Sequence, residues 1–345
     1  MANAASSVLE DAILKFDSTM TSAEWKAPDS AAIIAARKSE MGNPLLSQLR
    51  TSESRTVNAK FPIRQTATGG VVRVAEHSGS NPDTSTEALS WSKFVEDFSI
   101  NKSLAENNAY EFIDLFVAGQ RNNILNLINR VDASFVASVL ADETTANAGG
   151  ANGTFNATTD EYEIDNINKD DFFYEVKSMM ENNLYGGEIV GIVNSKANVL
   201  RRKLAADGSG NASNTAASLA GFSSIVPTTR TITASSNDAS GLFFQNGLVA
   251  VNFWVPPANR QAMDTEKAMA DNVGAFGEFS LPDFPNIKFA QSIYVKRADL
   301  SGSGGNEQDI QIHVENSLEM AYASAPVSAY HTETSPVFNA IVLPS

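Results

Sequence analysis

Apolar residues recur every three or four positions through the segment 108–141, at Phe112, Phe116, Ile124, Leu127, Ile128, Val131, Phe135 and Val139. That spacing lays a single stripe along an α-helix. No proline interrupts it, so the pattern predicts one helix about 50 Å long at roughly 1.5 Å per residue, where an average globular helix has about eleven or twelve residues. An apolar stripe of that length has to be covered by a sheet or by other helices. A coiled-coil seam fits less well, because Asn126 and Asn129 crowd the polar side without a flanking charge pattern.

Ahead of this helix the period shortens to two. Val57, Ala59, Phe61 and Ile63 alternate with Thr56, Asn58, Lys60 and Arg64, as in a strand. Gly69 and Gly70 permit a reversal, and Val71, Val72 and Val74 begin a return strand, so the segment 55–79 predicts a hairpin. Pro62 restricts it to an edge or irregular position. Such a hairpin either joins the sheet of its own domain or lies on another surface, since a lone two-stranded ribbon is only marginally stable in water. A further strand is expected around 94–100. The first fifty residues hold short helical pieces, such as 31–38 between the start signals Pro28 and Asp29 and the stops Gly42 and Pro44. Little apolar periodicity ties them together, which suits an arm packed on something else.

Beyond the long helix, the segment 147–166 reads as a break. A helix over 168–183 follows, with Asn168 as its cap and Asp170 and Asp171 at its positive end. Gly186, Gly187 and Asn194 bound a buried strand, and Ser195 caps the next helix, 195–206. A small-residue loop fills 207–221. Strands are predicted over 247–257, 286–298 and 309–324, with a helix over 260–271, and the apolar ending 335–345 predicts a docked terminus. Helices and strands mix without a regular alternation, so the fold class is α+β rather than a doubly wound parallel sheet.

The chain has 345 residues, 43% of them hydrophobic, ample for a sizeable core. Twenty-five basic against forty acidic side chains give a net charge of −15, which disfavours nucleic acid phosphates and anionic lipid as partners of the surface as a whole. The charge is uneven, for residues 1–74 carry nine Lys or Arg against seven acids. That asymmetry suits attraction between copies of one chain. Without cysteine there is neither a disulfide framework nor a thiolate metal site. The start lacks a basic region followed by a long apolar run, and no eighteen apolar residues occur together, so the expectation is a soluble protein made in cytoplasm.

Candidate chemistry is sparse. The histidines His77, His313 and His331 are far apart and form no zinc motif, and the chain has no phosphate loop, dinucleotide fingerprint or nucleophile elbow. The acidic stretch 158–171 lacks the spacing and glycine of a calcium loop and is expected to be a solvated, helix-capping segment. The basic knot 199–206 is expected to be a helix face answering an acidic neighbour. No catalytic, cofactor-binding or metal-binding residue is nominated.

The order of parts carries more information than any one motif. An arm, a hairpin, one very long helix, a compact region with "IVGIVNSKANVLRRKL", a small-residue loop leading to "AGFSSIVPT", and returning strands together resemble the major capsid proteins of tailed bacteriophages, which have the HK97-like fold. The resemblance implies an N-terminal arm over 1–50 and an E-loop hairpin over 51–95. It also implies a peripheral domain over 96–165 built on a spine helix, an axial domain over 166–300, and a return of 301–345 to the peripheral domain. The implied function is self-assembly into hexamers and pentamers forming an icosahedral head shell around phage DNA, without enzymatic activity or cofactor and without a membrane. The implied location is the virion, with assembly in the host bacterial cytoplasm. Implied partners are further copies of the chain, a portal and a separate scaffolding protein, the last because arm-like sequence begins directly at Met1; a decoration protein is left open. Arg55, Lys60, Arg64 and Arg73 are the residues expected to meet an acidic neighbouring subunit. Some relatives join a hairpin lysine to a distant asparagine; Lys60 and Asn339 are the residues in question here, and no such crosslink is expected. Two rivals stand beside this reading: an encapsulin-type compartment shell, and a hydrolase or binding protein whose site is assembled from distant residues.

Overall fold

The computed structural model describes residues 11–16, 32, 57–62, 84–89, 91–101, 109–147, 149–207, 221–232, 238–256, 259–260, 262–268, 274–281, 284–299, 308–325 and 334–345. They contain the strands β1 (Val57–Pro62), β2 (Thr84–Leu89), β3 (Trp91–Asn101), β4 (Gly153–Asn156), β5 (Glu161–Ile164), β6 (Ile189–Val193), β7 (Phe222–Pro227), β8 (Ala239–Gln245), β9 (Val249–Trp254), β10 (Gly274–Leu281), β11 (Phe284–Asp299), β12 (Gln308–Ser324) and β13 (Val337–Val342). Residues 11–16 are helical, and the further helices are α1 (Ala109–Ala141), α2 (Phe172–Asn182), α3 (Ser195–Asp207) and the single turn α4 (Thr265–Ala268). Helix and strand are mixed as the α+β expectation requires.

The long helix is present at the predicted length, 33 residues. All eight residues of its predicted stripe are buried, from Phe112 and Phe116 through Ile124, Leu127, Ile128 and Val131 to Phe135 and Val139. By length and composition the stretch Phe112–Ala141 could cross a membrane, but burial of this stripe inside the protein accounts for its apolar character.

The chain divides into two compact units. Unit 1 comprises 1–28, 92–131 and 253–320. Its sheet runs β10-β11-β12-β3, and β11 meets both β10 and β12 antiparallel. Phe112 and Phe116 of α1 join Ile100, Ala275, Ile293, Val295, Ile312 and Val314 in its core. Gly119 leaves room for the Phe98 ring, which would lie 2.8 Å from an added Cβ and packs edge-on against Phe116. A buried amide cluster links helix to sheet: Asn316 donates to Gln120 Oε1 at 3.0 Å and to Asn123 Oδ1 at 2.7 Å, while Gln120 and Gln291 donate back to Asn316 Oδ1. Each amide thereby satisfies the other, as burial demands.

Unit 2 comprises 29–91, 132–252 and 321–345. Its six-stranded sheet has the order β4-β5-β13-β8-β6-β7. β13 runs parallel to β5 and antiparallel to β8, and β6 runs parallel to β7 and antiparallel to β8. Every residue of β6 and of β13 is buried. The ending 335–345 is therefore docked as predicted, as an interior strand. Phe172, Phe173 and Phe222 pack around Phe243, whose ring lies over Gly191 and Gly241; an added Cβ at either would come within 2.8 Å of it.

Local punctuation departs from the sequence reading in several places. The cap of α3 is Asn194, whose Oδ1 accepts the Ala197 N–H at 2.8 Å, so Ser195 is the first helical residue and not the cap. Asn168 caps nothing; it lies within a 3-10 turn, Asn166–Asp171, that precedes α2, and Asp171 at the cap position of α2 makes no side-chain capping bond. The acidic stretch is not simply solvated, because Glu161 and Tyr162 of β5 are 1% and 0% exposed. Among the described residues the helix expected over 260–271 is one turn, with Asp264 Oδ1 accepting the Lys267 N–H. Six strands, β2, β4, β5, β7, β8 and β10, occur where no strand was predicted.

Candidate functional site

Strands β1 and β2 form a sheet of their own. They pair antiparallel from Val57 opposite Leu89 to Pro62 opposite Thr84, with Lys60 opposite Thr86. Successive residues on a strand point to opposite faces, and Thr86, Glu87 and Ala88 are all exposed, as are Asn58 and Thr84. Both faces of the ribbon are thus open to solvent at β2. Two strands without a third, and with both faces exposed at β2, are marginal by themselves.

Of the four residues expected to contact a neighbour, Lys60 is placed in β1, while Arg55, Arg64 and Arg73 lie outside the described residues. The expected return strand at Val71, Val72 and Val74 also lies outside them; the described partner of β1 is β2, further along the chain.

The polar chemistry of unit 2 is gathered in three carboxylate networks that the sequence did not announce. Glu175 of α2, 4% exposed, accepts the N–H groups of Ala151 and Asn152, the Asn152 side-chain amide at 2.8 Å and the Tyr162 hydroxyl at 3.2 Å. Burial, then the charge of Glu175 and its acceptance of the hydroxyl proton, push the Tyr162 phenol up to about 12. Asp142, just past α1, accepts from the Tyr322 hydroxyl at 2.8 Å and from Ser324; burial and the Asp142 charge hold the Tyr322 phenol far above its ordinary value.

Glu143 forms the third. It bridges Val337 in parallel, and its Oε2 accepts from Asn339 Nδ2 at 3.0 Å. Asn339 also donates to the Ile232 carbonyl, is 3% exposed, and pairs with Glu161 across β13 and β5. Burial raises the Glu143 carboxyl to about 7; the Asn339 bond opposes this, and the charges of Asp160 and Glu161 add to it. The Asp142 and Glu143 networks tie the end of α1 to strands far away in sequence, and the Glu175 network ties residues 151–152 to α2 and β5. They hold backbone in place and pair no nucleophile with a base.

Among the described residues no three His, Asp or Glu are grouped to hold a metal ion. His313 stands on β12 with its ring 6.2 Å from that of Tyr294; His77 and His331 lie outside the described residues.

No protein-family model matches the chain, and no curated protein matches its sequence. Among solved structures it is similar to a chain from Microbacterium phage Oxtober96, at 12% identity over 92% of each chain with a TM-score of 0.47. It is also similar to one from Mycobacterium phage Che8, at 13% identity over 89% of this chain and 90% of that one with a TM-score of 0.45. A third, described as the capsid structure of the cyanophage P-SCSP1u, has 12% identity over 84% of each chain and a TM-score of 0.41.

Proposed function

We propose that this chain is a major capsid protein of the tailed-phage, HK97-like type: a non-enzymatic shell subunit that associates with copies of itself into hexamers and pentamers around DNA. The observation that carries the reading is the β1–β2 ribbon, a two-stranded sheet open on both faces at β2, which needs a surface that another copy would supply. The order of the remaining parts agrees with it, from the 33-residue helix that would act as the spine to the strand β13 that returns to an earlier sheet. On this reading 1–50 is the arm, 51–95 the E-loop, 96–165 the peripheral domain, 166–300 the axial domain and 301–345 the return segment. Assembly takes place in the host cytoplasm with a scaffolding protein and a portal.

The test is electron microscopy of the purified protein, with sizing chromatography of the same sample. Regular hollow shells, or rings of five and six subunits, are the expected result. A strict monomer that also fails to assemble alongside its neighbouring gene products would overturn the proposal, and a cargo peptide in place of DNA inside the shells would move it to the encapsulin class.

A further inference from the structure

Two exposed patches of opposite charge lie on unit 2. The first is the 3-10 turn with the start of α2, where Asp165, Asp170 and Asp171, with Lys169 as the one base among them, are exposed around Ile167, itself 90% exposed, beside Tyr174 at 45%. The second is the outer face of α3, where Lys196, Val199, Arg202 and Lys203 are exposed, Val199 at 49%; their spacing puts them on one side of the helix. Lys196 is paired with Asp238 at 3.1 Å. Arg202, Lys203, Asp170 and Asp171 have no ion-pair partner among the described residues.

Acids at the start of α2 suit the positive end of the helix, which accounts for Asp170 and Asp171 but not for an isoleucine almost wholly in water. An apolar side chain ringed by charge, opposite a second apolar side chain ringed by the other charge, has the make-up of an interface: a dehydrated centre with a polar rim. We propose that the two patches are the halves of one contact between copies, in which the acidic turn of one copy seats Ile167 against Val199 on the basic face of α3 of the next. The partner is a second copy because a chain of net charge −15 presents acidic surface on every copy and so supplies the countercharge that Arg202 and Lys203 lack. Two different patches meeting make a head-to-tail contact, which gives rings when the rotation closes. The inference rests on the shell reading and assigns it a specific pair of surfaces.

Charge exchange in the full-length chain tests it. R202E/K203E and D170K/D171K should each weaken association at least about tenfold, because like charges then face each other across the contact, with the melting temperature of the subunit unchanged in the first and only slightly lowered in the second, whose acids sit at the positive end of α2. Combining all four substitutions should restore assembly, measured by sizing and light scattering. If the natural chain assembles and both reversed variants assemble equally well, or the combined variant fails to recover, the contact is wrong while the shell reading stands. If the natural chain never assembles, alone or with its neighbouring gene products, both fall.

Discussion

At Glu143 the folded surroundings oppose the charge that the side chain carries in water. Burial against β13 and the negative charges of Asp160 and Glu161 lift its carboxyl to about 7 from an ordinary 4.5. The folded chain therefore holds a proton there that the unfolded chain has released, and stability from this group is fully present below about pH 4.5 and lost as pH rises through about 7. Glu143→Gln keeps an oxygen to accept the Asn339 amide and removes the titration. Measured by denaturant unfolding at pH 5 and pH 8, the variant should gain on the natural chain by on the order of 1 kcal/mol at the higher pH relative to the lower, solvent screening the half-buried carboxyl and reducing the effect of its shift. Equal pH dependence in the two proteins would show that Glu143 is not held in this way. Nothing local marks this residue: its partner Asn339 is 196 positions away, and a sequence motif cannot express such a separation. The Asn194 cap shows the same limit at short range. Asn194 and Ser195 are both good capping residues, and only the backbone decides which one stands at the cap position.

At the scale of elements, legibility followed periodicity. The stripe of α1 was readable because a helix with one buried side must repeat its apolar residues near every 3.6 positions, and all eight named residues are buried. Phe135 is 0% exposed and meets the Tyr322 ring edge-on at 6.0 Å, so Phe135→Ala should cost about 3–5 kcal/mol in chemical unfolding; a loss under about 1 kcal/mol would mean the ring is not part of a packed core. Strands β4 and β5 were missed for the converse reason. Their sequence, "GTFN" and "EYEI", is polar because Glu161 is buried on β13 and Tyr162 is held by Glu175. Strands β8 and β10 begin among small residues, Ala-Ser-Gly and Gly-Ala, where loop composition and strand composition coincide.

For the whole molecule the proposal turns on the ribbon. The basic residues Arg64 and Arg73, which fall between its two strands in the sequence, make assembly sensitive to charge reversal if they meet an acidic neighbour. R64E/R73E should leave the melting temperature of the subunit unchanged and abolish shells in electron micrographs; intact shells from that variant would remove the electrostatic part of the argument. The distinction from the α3 contact is experimental as well as structural, because rescue by reversed acids at 170 and 171 is expected for R202E/K203E and not for the ribbon.

What the sequence determined by itself was the inventory: one very long helix, an alternating ribbon strand, a wholly apolar strand at 189–193, a docked end and an α+β composition. Each is a repeat of side-chain character over a few residues, imposed by the geometry of a single element. Which strands became neighbours was decided only in three dimensions. β13 enters the sheet between β5 and β8, parallel to one and antiparallel to the other, and each of the two units is drawn from three separate stretches of chain. Backbone hydrogen bonds make those choices, and backbone groups are the same at every residue. The side-chain pattern can say that a strand must be buried, but the strand beside which it is buried depends on how the whole chain satisfies those bonds at once.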